Sequence, residues 1–334
     1  MRRLLLLASI LPVVAACAGA AQARQTGTSL NLVAYSTPKP VVAKLVYRWT
    51  HSSAGKGVSF TQSYGPSGSQ ARAVVAGQPA DIAFLSTGLD IDSLADAGLV
   101  SKSWNHAPSD GIVANSVVAF AVRQGDPKHI HTWSDLIKPG VQVVTPNPFS
   151  SGSAKWDVLA AYGAMRKLGM SDHNALQFVT SLFRHVVSQD SSGSNAMNTF
   201  LSGKGDVAIT YESEAYAALQ AGAKINLVVP RQTMLIQLPM VPLEKAPAQA
   251  KQFIAYAHTR EAQGIFARFG YRPVIASVLK VPALKAWRRR YALGSRTVFK
   301  VSDALFGGWG KANKVWFDPT SGRMVGVERA VGGG

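Results

Sequence analysis

Residues 144–164 read VTPNPFSSGSAKWDVLAAYGA, and this stretch decides the fold. An apolar run over 141–145 ends in a Pro-Asn-Pro turn. Ser151-Gly152-Ser153 then opens a segment in which Trp156, Leu159, Ala160 and Gly163 recur at i, i+3, i+4 and i+7. The run predicts a short buried strand. The recurrence predicts a helix over 154–168 with one packing face, stopped by Gly169. The triplet returns as Ser67-Gly68-Ser69 and Ser192-Gly193-Ser194, each time between a strand-like and a helix-like run. A helix start leaves about four backbone N–H groups unpaired and carries roughly half a positive charge. Glycine admits a bound group close to the backbone, and serine caps the helix and offers a hydroxyl. Strand–Ser-Gly–helix is therefore a small anion site. One copy is ordinary helix punctuation. Three copies at the carboxyl ends of strands can converge on a single small anion.

The same alternation extends outward. Strands are predicted over 30–35, 58–62, 80–85, 116–122, 141–145, 186–188 and 207–211. Helices are predicted over 41–50, 70–76, 154–168, 172–183 and 196–201. The strand over 80–85 is bounded by Pro79 and Ser86-Thr87-Gly88. Short apolar strands separated by helices point to an α/β architecture with parallel sheets. No solenoid repeat is present.

The 334 residues are 47% hydrophobic and 16% charged, which suits a globular chain of two domains. The N-terminus reads as a secretory signal peptide over 1–23. Arg2-Arg3 precede an apolar run over 4–16, too short to span a bilayer, and Ala21-Gln22-Ala23 is a small-x-small cleavage site. Val14-Ala15-Ala16-Cys17 also resembles a lipoprotein box, and cleavage before Cys17 would leave a lipid-anchored protein. Either way a periplasmic protein is expected. Cys17 is the only cysteine, so disulfides, thiolate nucleophiles and cysteine metal clusters are excluded from a chain cut after Ala23. The net charge of +17 falls to +15 without Arg2 and Arg3. In an exported protein this fits an anionic ligand or surface, and no nucleic-acid partner is expected. The basic run Arg288-Arg289-Arg290 reads as a solvated helix face.

Absent motifs narrow the chemistry. No G-x-x-x-x-G-K-[ST] occurs, which excludes a Walker-type nucleotide site. Gly65-Pro66-Ser67-Gly68-Ser69 is not the G-x-S-x-G elbow. His129 and His131 follow Pro127 in a surface loop, with Asp126 and Asp135 the only nearby acids, and no metal is expected there. Glu212 and Glu214 flank Ser213 after the strand over 207–211 and are read as structural. None of the seven histidines sits in a recognisable catalytic motif. An exported serine-nucleophile hydrolase is the remaining enzymatic alternative. The expectation is that the chain is not an enzyme and needs no cofactor.

Long stretches carry a family resemblance: QSYGPSGSQARAVVAGQPADIAFL (62–85), residues 144–164, SQDSSGSNAMNTF (188–200), GDVAITYESEAYAAL (205–219), GYRPV (270–274) and VSDALFGGWGKANKVWF (301–317). In these the chain, from about Leu32 to Val327, resembles the periplasmic sulfate-binding proteins of ABC importers, a family that includes thiosulfate binders. The resemblance implies a two-lobed, hinged α/β periplasmic-binding-protein fold of type II, with discontinuous domains around mixed, mainly parallel sheets. The expected division is 24–115 plus 236–295 in lobe 1 and 116–235 in lobe 2. A C-terminal helical segment over 296–334 is left unassigned.

It also implies a dehydrated anion held between the lobes by hydrogen bonds, without a paired cation. The family's ligand positions fall on Ser36, Ser67, Ser151, Gly152, Ser153, Gly193 and Tyr211. Three of them depart from the family pattern. Ser36 stands where Asp is usual, Ser153 stands for a second glycine, and Tyr211 stands for a tryptophan whose indole donates. The phenol reaches further than an indole and can also accept. Thiosulfate or molybdate is thus an alternative to sulfate. Lys155 and Arg72, in the first turns of their helices, are read as long-range attractors and not as ligands. The implied partners are sulfate or thiosulfate and a membrane ABC permease with its ATPase, the binding protein itself being a monomer.

Overall fold

The computed structural model describes residues 27–290 and 292–332. The signal peptide over 1–23 and Cys17 lie outside the described residues. The chain begins β1 (Ser29–Tyr35), α1 (Lys39–Thr50), β2 (Ser59–Gly65), α2 (Ser67–Val75), β3 (Ile82–Phe84), α3 (Gly88–Asp96) and β4 (Ile112–Arg123). It continues β5 (Val143–Pro146), α4 (Gly152–Lys167), α5 (Asp172–Arg184), β6 (Val186–Asp190), α6 (Gly193–Leu201), β7 (Val207–Tyr211), α7 (Glu212–Gln220) and β8 (Ile225–Val228). After β9 (Gln232–Pro242) come α8 (Ala248–Ala257), α9 (Arg260–Arg268), β10 (Arg272–Pro273), α10 (Lys285–Arg290), β11 (Thr297–Phe299), α11 (Gly308–Ala312) and α12 (Arg323–Ala330).

The strands lie in the order β2-β1-β3-β9-β4-β7-β5-β6. Two parallel sets stand at the ends of this path. In the first, β1 lies between β2 and β3, with Tyr35 opposite Gly65 and Ala34 opposite Phe84. In the second, β5 lies between β6 and β7, with Pro146 opposite Asp190 and Val144 opposite Ala208. The long strands β4 and β9 run antiparallel to each other and link the sets, β9 pairing with β3 and β4 with β7. Parallel register brings the carboxyl ends within a set to one rim. Ser36, Ser67 and Ser86 therefore follow neighbouring strands on one side, and the starts of α4, α6 and α7 follow neighbouring strands on the other.

The local chemistry of these elements is conventional. α1 carries Pro40 in its first turn, where the missing N–H costs nothing, and buries Val41, Val42, Leu45 and Trp49. Thr87, Ser171, Ser192 and Thr259 cap α3, α5, α6 and α9 through their hydroxyls.

α4 departs from the one-faced helix that its sequence predicts. It is buried from Gly152 to Ala154 and from Trp156 to Met165, on every side. The reason lies at the far end of the chain. Residues from β11 onward fold over α4. The Trp309 ring meets Trp156 at 4.6 Å and Trp316 meets Tyr162 at 4.6 Å. Gly163 admits this cover, since a Cβ there would lie 2.4 Å from a Phe299 ring carbon and 3.0 Å from Phe306. The C-terminal segment is also not wholly helical, because β11 pairs with β9 in parallel. Among the described residues no helix is long and apolar enough to cross a membrane.

Candidate functional site

The start of α4 is shaped by the loop before it. The Ser151 N–H donates to the Asn147 carbonyl at 2.9 Å, and the Ser150 hydroxyl donates to the Ser191 carbonyl at 3.0 Å, tying this loop to the β6–α6 turn. Ser151 takes the extended N-cap conformation, but its hydroxyl makes no capping bond. Gly152 and Ser153 follow as the first residues of the helix, with N–H groups that have no intrahelical acceptor. All three are buried. No larger residue fits at 152. A Cβ there would lie 2.0 Å from Ser86 Oγ, 3.0 Å from Thr87 Cγ2 and 3.3 Å from Asp90 Oδ2.

Ser86, Thr87 and Asp90 belong to the other strand set, so this contact crosses between the two sides. It is reinforced by the Trp156 indole, which donates to the Ser86 carbonyl at 2.7 Å. Gly68 stands close to the Ser150 carbonyl, 3.3 Å from a Cβ placed on it. The Tyr35 and Tyr211 rings face each other at 6.4 Å. Ser67 sits at the centre of the lower side. Its hydroxyl donates to Asp90 Oδ2 at 2.5 Å and accepts the Ser86 N–H at 2.9 Å. Its proton is thus directed at a carboxylate of its own chain. Ser36 follows β1 on the same rim and is half-buried.

The remaining predicted residues close the opposite wall. Ser192 caps α6 by accepting the Asn195 N–H at 3.2 Å, which leaves Gly193 as the first helical residue. A Cβ on Gly193 would lie 3.1 Å from Ser153 Oγ and 3.3 Å from Glu214 Oε2. Tyr211 ends β7 with its ring wholly buried. Its hydroxyl faces those of Ser86 and Ser153, and burial holds it far above the usual phenol range, so it keeps its proton. The Ser86 and Ser153 hydroxyls lie near enough to that of Tyr211 to draw its pKa back slightly, but the bonds between them are not well formed. Ser86 Oγ, Ser153 Oγ and the Tyr211 hydroxyl are all buried without a hydrogen-bond partner. Buried polar groups are rarely left unpaired, so three at one point mark a place made for a polar guest.

Carboxyl groups also reach this place. Asp157, one turn along α4 from Ser153, accepts from the Thr145 hydroxyl at 3.2 Å and leaves Oδ1 buried without a partner. Burial raises its pKa well above the carboxylate range. Glu214 accepts from Thr210 at 2.8 Å, and burial pushes it up to about 7. Glu212, expected to be structural, is so. Arg272 grips it with two bonds, Nε to Oε2 at 2.6 Å and an Nη to Oε1 at 2.7 Å. Glu214 stands against Gly193 at the start of α6.

Elsewhere the sequence readings keep to the surface. The His131 ring meets Asp126 at 3.5 Å, its backbone N–H donates to Asp135 Oδ2 at 3.0 Å, and no group of three potential metal ligands forms among the described residues. Lys155 is half-buried near Asp90 and Arg72, with its ammonium 5.7 Å from the Phe317 ring.

The sequence reading missed Ser86, Asp90 and Asp157, and read Glu214 as structural. A signal for the first existed. Ser86-Thr87-Gly88 is a fourth strand–Ser–Gly–helix junction, with Thr87 as the cap and Gly88 as the first helical residue. A search for the literal triplet passes over it because threonine separates the serine from the glycine. The three acids carry no such signal. Only the fold shows that they point inward.

Residues 30–272 match the family model of bacterial extracellular solute-binding proteins. The chain is 33% identical to the sulfate-binding protein of Synechococcus elongatus over 96% of its own length and 93% of that protein. It is 37% identical to the sulfate-binding protein of Salmonella typhimurium over 79% of its own length and 81% of that protein. Its fold superposes on the sulfate-binding protein SubI of Mycobacterium tuberculosis with a TM-score of 0.81, at 37% identity, covering 87% of this chain and all of that one. With helix starts of the two parallel strand sets meeting at Gly152 and Ser86, and with these relatives, the chain belongs to the bacterial extracellular solute-binding proteins.

Proposed function

We propose that this protein captures sulfate outside the cytoplasmic membrane and delivers it to an ABC permease with its ATPase. The carrying observation is the cluster of three buried, unpartnered hydroxyls, Ser86, Ser153 and Tyr211, set against the helix starts at Gly152 and Gly193. The sulfate-binding relatives support the choice of anion.

The ligand set is Ser36, Ser67, Ser151, Gly152, Ser153, Gly193 and Tyr211, with Ser86 added. Backbone N–H groups at the starts of α4 and α6 stabilise the dianion with their partial charges. The hydroxyls other than that of Ser67, whose proton goes to Asp90, complete its shell. Each charge-assisted bond contributes about 1.5–3 kcal/mol net. About seven of them offset a large desolvation cost and still give micromolar or better binding. Sulfate carries no proton at neutral pH. Hydrogen phosphate does, and meeting donors with that proton costs it roughly 1–3 kcal/mol or more.

The lobes are residues 24–115 with 236–295, and 116–235, so the borders fall within β4 and β9 near where those strands pair with each other. Closure of the lobes marks the loaded, monomeric protein for the permease. The export signal over 1–23 places it in the periplasm. The role is capture and not turnover. The Ser67 proton goes to Asp90, and no histidine accompanies it.

Calorimetric titration of desalted protein with sulfate, thiosulfate, molybdate and phosphate tests this reading. Sulfate binding at micromolar concentration or below, with phosphate at least a hundredfold weaker, is expected. Tighter thiosulfate binding would move the assignment to that anion. Equal phosphate and sulfate affinities would overturn the donor argument.

A further inference from the structure

Trp309 belongs to the C-terminal segment, yet it touches both sides of the pocket. It lies in the first turn of α11, directly after Gly307 and Gly308. Both glycines take left-handed φ, +70° and +87°, and turn the chain sharply before the indole. The Trp309 ring meets Trp156 of α4 edge to face at 4.6 Å. It also reaches the first residue of α3, where a Cβ on Gly88 would lie 3.1 Å from Trp309 Cδ1. Trp104 comes to the same point, its Cη2 at 3.3 Å, and its indole donates to Asp92 of α3 at 2.9 Å. Two indoles thus meet at Gly88, and a residue without a side chain admits both.

These contacts surround the approach that joins the two strand sets. Ser86, two residues before Gly88, places its Oγ against Gly152. The Trp156 indole donates to the Ser86 carbonyl at 2.7 Å. Trp309 packs on the donor of that bond and, two residues beyond its acceptor, on the start of α3. Other rings of the same segment lie on α4, Phe299 and Phe306 against Gly163 and Trp316 against Tyr162.

We propose that Trp309 is a positioning residue of the anion pocket: from the C-terminal segment it holds the start of α3 against the start of α4, and so fixes Ser86 beside Gly152 without touching the ligand. This rests on the reading of that pocket as a sulfate site. Ser86 sits in a turn, and a turn hydroxyl serves a ligand well only where it is already held in place. The edge-to-face pair favours one arrangement of Trp156, and the indole bond passes that arrangement to the Ser86 carbonyl. Because the contact spans both sides, its loss should speed release of the anion more than it slows capture.

Stopped-flow and calorimetric titration of the full protein with sodium sulfate test this. Trp309→Ala should raise the dissociation rate about tenfold, with association changed less than about threefold. Trp309→Phe keeps an aromatic edge and should recover most of the loss. Gly88→Ala leaves Trp309 in the chain but crowds it, and should speed release in the same direction. Phe306→Leu loosens the segment on α4 only, so it should lower the melting temperature with sulfate affinity within about threefold of the unsubstituted protein. Equal affinity losses in Phe306→Leu and Trp309→Ala would make the effect general loosening and overturn the inference. Unchanged dissociation in both Trp309→Ala and Gly88→Ala would overturn it and leave the sulfate reading intact. Hydrogen exchange without added sulfate separates the two readings further. The amides of residues 86–90 should exchange faster in Trp309→Ala, and unchanged exchange would overturn the positioning role. Absence of sulfate binding by the unsubstituted protein would overturn the sulfate reading, and the exchange result would then decide the role of Trp309 alone.

Discussion

Ser86 Oγ occupies the place where a side chain on residue 152 would begin, 2.0 Å from a Cβ built on Gly152. One residue follows β3 and the other opens α4, so this single approach joins the two strand sets. Gly152→Ala should therefore either hold the walls apart or force Ser86 and Thr87 to move. A loss of sulfate affinity of at least tenfold is expected by calorimetry. Adding Ser86→Ala to Gly152→Ala should cost less than the two single losses together, because it removes the nearest atom. Additive losses in the double variant would show that the two residues do not compete for one space.

Tyr211 separates binding from stability. Its hydroxyl is buried without a well-formed hydrogen bond, so Tyr211→Phe removes a group that contributes little to the fold. The melting temperature should stay level or rise slightly, since an unsatisfied buried hydroxyl is a cost. Sulfate affinity should fall by about tenfold to a hundredfold, the value of one charge-assisted bond. A stability loss with unchanged binding would make the hydroxyl structural.

The Glu212–Arg272 pair should behave in the opposite way. Glu212 is fully buried and held by two short bonds. Arg272→Ala leaves a buried carboxylate uncompensated, which costs about 3–5 kcal/mol. Thermal or urea unfolding should show that loss. Pocket affinity, measured below the new transition, should change much less than in Tyr211→Phe.

Stability of the anion-free protein should fall as pH rises through the neutral range. Burial raises Glu214 from its ordinary 4.5 to about 7. The unfolded chain releases this proton first, so between the two values the folded state holds more protons and loses stability with increasing pH. The group contributes about 2 kcal/mol of such loss between pH 5 and 7.5. Glu214→Gln should flatten that part of a melting-temperature profile.

Much of the fold was legible in residues 144–164 and their repeats. Most strand and helix positions before residue 212, α3 excepted, follow from apolar runs, caps and Gly stops, because these signals are local. The strand over 207–211 matches β7. The helix starts at 67, 152 and 193 fall at the Ser-Gly triplets. The all-round burial of α4 was not legible. It depends on Phe299, Phe306, Trp309 and Trp316, far along the chain.

The sequence by itself determined that Ser-Gly junctions would end strands and begin helices, because capping and glycine geometry act within a few residues. Tertiary structure alone decided which of them meet. Parallel register puts Ser36, Ser67 and Ser86 on one rim, and crossing contacts bring Gly152 against Ser86. It alone enclosed Asp157 and Glu214, and burial raises both above the ordinary carboxylate range. A carboxylate in a sequence has an ordinary pKa. Its protonation in the protein is set by how much water the fold removes from around it, and that is a property of packing.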